Sequence, residues 1–81
     1  MKVRLTNHAR ERASEMDVRT RLVKQALLDP ETVYPSFHGP DQFVAVRGEL
    51  AVPYERLTDE DGEVRRAITV LWHGQTEREA G

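Results

Sequence analysis

Five side chains in this sequence belong to the types that transfer protons or bind phosphate groups. His8 and Arg12 are four residues apart, a spacing that places both on one side of a helix, and the other three are Tyr54, Arg66 and His73. Histidine and tyrosine can act as general acids or bases, and arginine offers a bidentate donor to phosphate. Metal-free RNA cleavage needs such groups, together with cations that stabilise the transition state. We therefore treat the five as candidate catalytic residues.

Each of the five also has a structural interpretation, which the sequence leaves open. An arginine on an apolar strand face needs an anionic partner, and Arg66 could take Glu55 or Glu49. Tyr54 could form a cross-strand aromatic pair with Phe43. Arg12 could form an ion pair on the helix surface. His8 could be a polar residue near the helix cap, and His73 a solvated residue at the end of a strand.

Length and composition exclude several classes of protein. The chain has 81 residues, no cysteine and a formal net charge of −2. It is long enough for one domain over residues 1–81, with a thin core that homodimerisation would enlarge. Without cysteine there are no disulfides, iron–sulfur clusters or thiol catalysis, and the histidines and carboxylates show no metal-ligand spacing. There is no glycine-rich phosphate loop either, so we expect neither a metal nor a cofactor.

No apolar run approaches the roughly 20 residues that a membrane-spanning helix needs. The first residues are too polar for a signal peptide, so we expect a cytoplasmic protein that makes no membrane contact. The charge is unevenly distributed: the first 25 residues carry seven basic and three acidic side chains, and the remainder carries five and eleven. A nucleic-acid-binding domain usually has a clear basic excess. The whole chain lacks one, although a basic surface on the helices remains open.

The spacing of apolar residues predicts two helices, over residues 7–16 and 18–28. Thr6 and Asn7 can cap the first helix, and Asp17 can cap the second. The segment before Thr6 is a short extended lead-in that could form an edge strand. Because few residues join the helices, we expect a tight helix hairpin.

Four strands are predicted after the helices, and the tail from residue 74 to residue 81 is expected to be flexible. The strands cover residues 32–38, 42–47, 50–57 and 64–72. This order predicts an α+β domain in which the N-terminal helix hairpin packs on a four-stranded antiparallel sheet.

Glycine and proline predict details of that sheet. Gly48-Glu49 suits a type II′ hairpin loop, which would pair Arg47 with Leu50, Ala45 with Val52 and Phe43 with Tyr54. Pro35 predicts an edge strand, and Pro53 predicts a bulge or gap in the ladder with the last strand, because neither residue has an N–H to donate. Along that last strand, alternation would place on one face Val64, Arg66, Ile68, Val70 and Trp72.

The opening Thr6-Asn-His8-Ala-Arg-Glu-Arg12 resembles the start of a family of uncharacterised bacterial and phage proteins grouped near the RelE/ParE and BrnT toxins. A second matching phrase, residues 26–31, ends the second helix, and the last strand, residues 67–72, provides a third. The resemblance covers the chain from about Thr6 to Trp72.

The resemblance implies a RelE/ParE-like fold with its core over residues 6–72. It also implies a toxin-like activity, since RelE-type proteins cut mRNA on the ribosome without a metal and BrnT-like proteins are RNases of the same broad class. An antitoxin that binds as a peptide would then be a partner. His8 and Arg12 match the N-terminal motif of the family.

Two functions therefore remain open from the sequence. One is a toxin-like, metal-independent endoribonuclease acting on mRNA or the ribosome. The other is a non-catalytic phage or bacterial interaction module that binds a host protein, which the acidic balance and small size favour. A nuclease should show a basic groove on which histidine or tyrosine converges, whereas an interaction module should show an exposed apolar or acidic patch.

Overall fold

The computed structural model describes residues 1–74, and these residues form two helices and a six-stranded mixed sheet. The chain is therefore α+β, as the sequence predicts, but the sheet is neither four-stranded nor wholly antiparallel. The predicted flexible tail, residues 74–81, lies outside the described residues apart from Gly74. In chain order the elements are β1 (Lys2–Leu5), α1 (Asn7–Glu15), α2 (Thr20–Leu28), β2 (Thr32–Pro35), β3 (Gln42–Arg47), β4 (Leu50–Asp59), β5 (Gly62–Ala67) and β6 (Leu71–Trp72).

The strands lie in the order β1-β5-β4-β3-β2, and β6 pairs separately with the beginning of β4. Neighbouring strands are antiparallel except β1 and β5, which run parallel with Lys2 opposite Val64 and Leu5 opposite Ala67. The extended lead-in before Thr6 is thus an edge strand. A parallel pair needs a long connection, which the two helices and three intervening strands supply.

The helices begin and end close to their predicted bounds. Thr6 caps α1, because its Oγ1 accepts a hydrogen bond from the backbone N–H of Ala9 at 3.1 Å. α2 begins at Thr20, two residues later than predicted, with Arg19 in the N-cap position and no side-chain cap. It ends at Leu28, as predicted.

Asp17 does not cap α2, contrary to the prediction; it ends α1 instead. Its φ is +57°, in the left-handed region. The N–H of Val18 donates to the carbonyl of Ala13 at 2.8 Å, and that of Asp17 donates to the carbonyl of Ser14 at 3.0 Å. These two bonds form a Schellman motif, which satisfies carbonyls that the end of a helix leaves without partners.

The hairpin between β3 and β4 has the predicted form. Gly48 has a φ of +58°, as the first residue of a type II′ loop requires. The predicted register is confirmed, since the pairs include Arg47–Leu50, Ala45–Val52 and Phe43–Tyr54.

The predicted strand over residues 64–72 is broken in two. β4 pairs with β5 up to Ala67 and with β6 from Leu71, so that three residues of the last strand lie opposite only two of β4. This is a β-bulge, and Pro53 lies within it. The carbonyl of Pro53 still accepts a hydrogen bond from the N–H of Ile68 at 2.8 Å. The gap predicted at Pro53 is confirmed.

The bulge moves the end of the last strand to the other face of the sheet. Val70 is fully buried beneath the helices, and Trp72 lies beside α2. The prediction that both share a face with Val64, Arg66 and Ile68 was wrong, because one extra residue reverses the alternation of side chains.

The sheet carries apolar side chains on both faces. The helices cover one face and bury a core that includes Leu27, Val52 and Tyr54. The other face, called the open face below, holds a second cluster: Val44, Val46 and Ala51, with Tyr34 and Leu71 packed against them.

Candidate functional site

Two of the five candidate catalytic residues lie on the outer surface of α1. His8 is exposed in the first turn, and Arg12 is half-buried one turn later. Arg12 Nη1 lies 3.6 Å from Glu15 Oε2, so it forms one of the ion pairs considered as its structural role. His8 and Arg12 thus lie one turn apart on α1, and a role for the two in catalysis stays a prediction.

Tyr54 lies within the core beneath the helices and is only 4% exposed. Its ring stacks on Phe43 with the centroids 5.7 Å apart, and the Arg65 guanidinium lies 5.7 Å from its centroid. Burial raises the pKa of the Tyr54 phenol, so the ring is neutral at physiological pH. The aromatic pair predicted with Phe43 is confirmed.

Arg66 lies on the open face, with the sheet between it and Tyr54. The Arg66 Nη2 donates a hydrogen bond to Oε1 of Glu55, its cross-strand neighbour. Of the two anionic partners considered from the sequence, Glu55 is therefore the one that the structure pairs with Arg66. This pairing satisfies the charge without a bound phosphate.

His73 follows β6 at the far end of β4. Its backbone N–H donates to the carbonyl of Glu49 at 2.7 Å, which places it beside the β3–β4 loop. The five candidates are thus distributed over the surface of α1, the core, the open face and this loop. Among residues 1–74, no hydrogen bond, ion pair or ring contact joins His8, Arg12, Tyr54 and Arg66 to one another.

The open face contains a broad groove of about 700 Å³, called the open-face groove below. It runs between β2 with its following loop and the bulge at Pro53. Phe37, in the loop, is 98% exposed. The lining is mainly apolar, with Tyr34, Pro35, Phe37, Val44, Pro53, Ile68 and Leu71. Such a lining offers apolar contacts rather than proton transfer.

Sequence reasoning did not identify this groove, although a signal for it was present. Residues 43–46 form a continuous apolar run, as do residues 50–52. A strand with one solvated face alternates apolar and polar residues, whereas a continuous run indicates two apolar faces. Phe37 was included in a predicted strand, but it lies in the loop after Pro35.

Both edges of the sheet oppose pairing with another strand. The N–H of Ser36 donates to the carbonyl of Gln42 at 2.9 Å, so alternation turns the nitrogen of Pro35 toward the open edge of β2. Proline there removes a donor, as predicted for an edge strand. The opposite edge, β1, carries Lys2 and Arg4. A partner is therefore more readily bound through the side chains of the open face.

The described part of the chain has no cluster of three histidine, aspartate or glutamate side chains that could hold a metal ion. Nor does it contain a helix long and apolar enough to cross a membrane. The chain matches no protein-family model, and no curated protein or solved structure matches it significantly.

Proposed function

We propose that this protein is a non-catalytic interaction module that binds an apolar segment of a partner protein in the open-face groove. The observation that carries the proposal is Phe37, which is 98% exposed beside a groove of about 700 Å³. Phe37 and the apolar lining of the groove form one apolar surface patch, and such patches mark interaction sites. Aromatic side chains also dominate binding energy at interfaces.

The groove is formed largely by regular structure. Val44 lies in β3 and Pro53 in β4, and both strands are held in the sheet by neighbours on either side. A site built on such strands needs little ordering when a ligand arrives, which limits the entropic cost of binding. Burial of Phe37 alone would contribute about 1.5–3 kcal/mol.

Selection from a library of random dodecapeptides tests the proposal. Enriched peptides are measured by fluorescence anisotropy against the wild type, Phe37→Ser and Leu28→Ser. Leu28 is the matched control, because it is 51% exposed but lies on α2. We expect apolar peptides whose affinity falls about tenfold or more in Phe37→Ser and stays unchanged in Leu28→Ser. No enrichment, or equal binding to Phe37→Ser, would contradict the proposal.

A second copy of the chain is the competing occupant of the groove. Sedimentation equilibrium of the free protein separates the two cases, and we expect a monomer. A dimer that Phe37→Ser dissociates would show that the groove serves homodimerisation, and would overturn binding of a foreign partner there. Circular dichroism of Phe37→Ser should match the wild type, because an exposed side chain contributes little to folding.

The second candidate function is a toxin-like, metal-independent RNase with a RelE/ParE-like layout. Its specific support is the exposed His8 and the half-buried Arg12, one turn apart on α1. The layout is supported by a helix pair that lies between an N-terminal strand and a run of antiparallel strands. Its partners would be RNA or the ribosome and an antitoxin, whereas the interaction module would bind a host protein.

A further inference from the structure

A row of polar side chains crosses the open face beside the open-face groove. Sheet register places Arg4 opposite Arg66, Arg66 opposite Glu55 and Glu55 opposite Gln42, on four adjacent strands. Paired residues in a sheet project to the same face. Gln42 also lines the groove, so the row and the groove adjoin. We call these four residues the polar row.

One positive charge of the polar row has no hydrogen-bonded counter-charge, and the Asp59 carboxylate interacts with it only through space. Arg66 donates to Glu55, whereas Arg4 is exposed and forms no hydrogen bond or ion pair with another described residue. Lys2, the next residue of β1 on this face, is already held by Asp59 at 3.2 Å and Asp61 at 2.7 Å. Register places Arg4 directly opposite Arg66, whose guanidinium is already paired with Glu55.

The geometry points to a ligand with a carboxylate: we propose that the segment bound in the open-face groove carries an aspartate or glutamate that Arg4 and Arg66 hold together. This inference rests on the proposed function and specifies the chemistry of the partner. A carboxylate between the two guanidinium groups would give Arg4 a counter-charge, and Arg66 has N–H donors besides the one from which Glu55 accepts. Guanidinium suits this role, because it donates two parallel hydrogen bonds to one carboxylate.

The spacing of the ligand groups follows from β5 and the residue after it. Ile68 lines the groove and Arg66 belongs to the polar row, and they are two residues apart on one face of the sheet. Two residues of a strand span about 6.6 Å. An extended segment lying along β5 has the same repeat and would bring its acidic residue over Arg66 and beside Arg4, so this residue should be two positions from the apolar residue that enters the groove.

The selected peptides test this spacing. We expect an aspartate or glutamate two positions from the shared apolar residue. Affinity for such a peptide should fall about fivefold in Arg4→Gln, the upper value for an exposed ion pair, and the fall should diminish in high salt. Arg10→Gln is the matched control, because Arg10 is an exposed arginine of α1. It should bind the peptide as the wild type does.

A charge swap gives a second readout. Arg4→Glu should bind a peptide with lysine in place of the acidic residue better than the original peptide, while the wild type shows the reverse preference. Thermal melts check the fold; Arg4→Gln should melt close to the wild type, because Arg4 is exposed and forms no hydrogen bond or ion pair with another described residue. Arg4→Lys retains the charge and replaces Arg4→Gln in the test if that variant fails to fold. The Arg4→Lys protein should bind the peptide less tightly than the wild type, because an ammonium group cannot make the bidentate contact.

The failure of this inference is distinguishable from that of the proposed function. Apolar peptides that are sensitive to Phe37→Ser but show no acidic preference would overturn the carboxylate site and leave the groove function intact. Peptides with an acidic residue that Arg4→Gln and the charge swap do not affect would also overturn it. No selected peptides at all would remove the proposed function, and this inference with it.

Discussion

Arg65 on β5 donates a hydrogen bond from Nη1 to the backbone carbonyl of Leu27 at 2.6 Å, in the last turn of α2. The same guanidinium donates from Nε to Glu63 at 2.7 Å and lies over the ring of Tyr54. A cation at the C-terminal end of a helix satisfies a free carbonyl and complements the helix dipole. Arg65 therefore ties the helix layer to the sheet.

We predict that Arg65→Ala lowers the free energy of unfolding by about 2 kcal/mol, since it removes charge-assisted hydrogen bonds at a half-buried site. Arg65→Lys should lose about half of that, because an ammonium cannot reach both acceptors in the same planar arrangement. Urea denaturation gives the values. Arg21→Ala, an exposed arginine of α2, is the control and should stay within about 0.5 kcal/mol of the wild type. Equal stability of Arg65→Ala and Arg21→Ala would contradict the structural role.

Asp17 is the one described residue other than glycine with a positive φ. Asp17→Gly should raise the free energy of unfolding by about 0.5 kcal/mol, because glycine adopts this conformation without a Cβ clash. Asp17→Val should lower it by about 1 kcal/mol or more, because β-branched residues resist the left-handed region. Ser14→Gly, within α1, should be destabilising, and thermal unfolding of the three variants checks the order. A destabilised Asp17→Gly would argue against the Schellman motif.

Lowered carboxyl pKa values predict weaker folding in acid. Asp59 accepts from the backbone N–H of Asp61 and from Lys2, and Glu63 accepts from Arg65, and these bonds lower the pKa of each carboxyl group. At a pH between the lowered pKa and the ordinary pKa of these groups, the unfolded chain binds more protons than the folded chain. The free energy of unfolding should therefore decrease as the pH falls below about 4.5.

Urea denaturation from neutral pH to about pH 3 tests this dependence. Glu63→Gln should be less stable than the wild type at neutral pH and should lose less stability on acidification, because glutamine does not titrate. Glu60→Gln, in the turn between β4 and β5 and without a bonded partner in the described chain, should follow the wild-type profile. Parallel acid profiles for the wild type and Glu63→Gln would count against the Glu63–Arg65 bond.

Expression in bacteria tests the RNase candidate. We expect RNA to remain intact in cells that express the wild type, because Tyr54 is buried and Arg66, on the other face, is paired with Glu55. Growth is measured alongside total and ribosome-associated RNA, with the His8→Ala/Arg12→Ala double variant as the comparison. Growth arrest with cleaved RNA that the double variant abolishes would establish the RNase and place its site on α1.

Local chemistry accounts for the features that the sequence predicted correctly. Thr6 caps α1, and Gly48 determines the loop that sets the register of β3 and β4. Pro35 and Pro53 lack an N–H, so the edge position of β2 and the gap opposite β4 follow from residue type. Each of these outcomes depends on dihedral and hydrogen-bond preferences that act within a few residues.

Part of the candidate site could also be read from the sequence. Sequence reasoning placed His8 and Arg12 on one helix and named Glu55 as one of two partners for Arg66. The position of Arg4 beside Arg66 was not, because it depends on the parallel pairing of two strands from opposite ends of the described chain. No local preference selects that partner.

By itself, then, the sequence determined the helices, the β3–β4 hairpin and the site of the bulge, all of which follow from local backbone preferences. Only the tertiary structure decided which side chains share a face. Successive strand residues alternate between faces, so one bulge residue sends Val70 under the helices while Arg66 stays on the open face. Which face the helices cover, and so whether a groove remains open beside Phe37, depends on contacts between residues far apart in the chain.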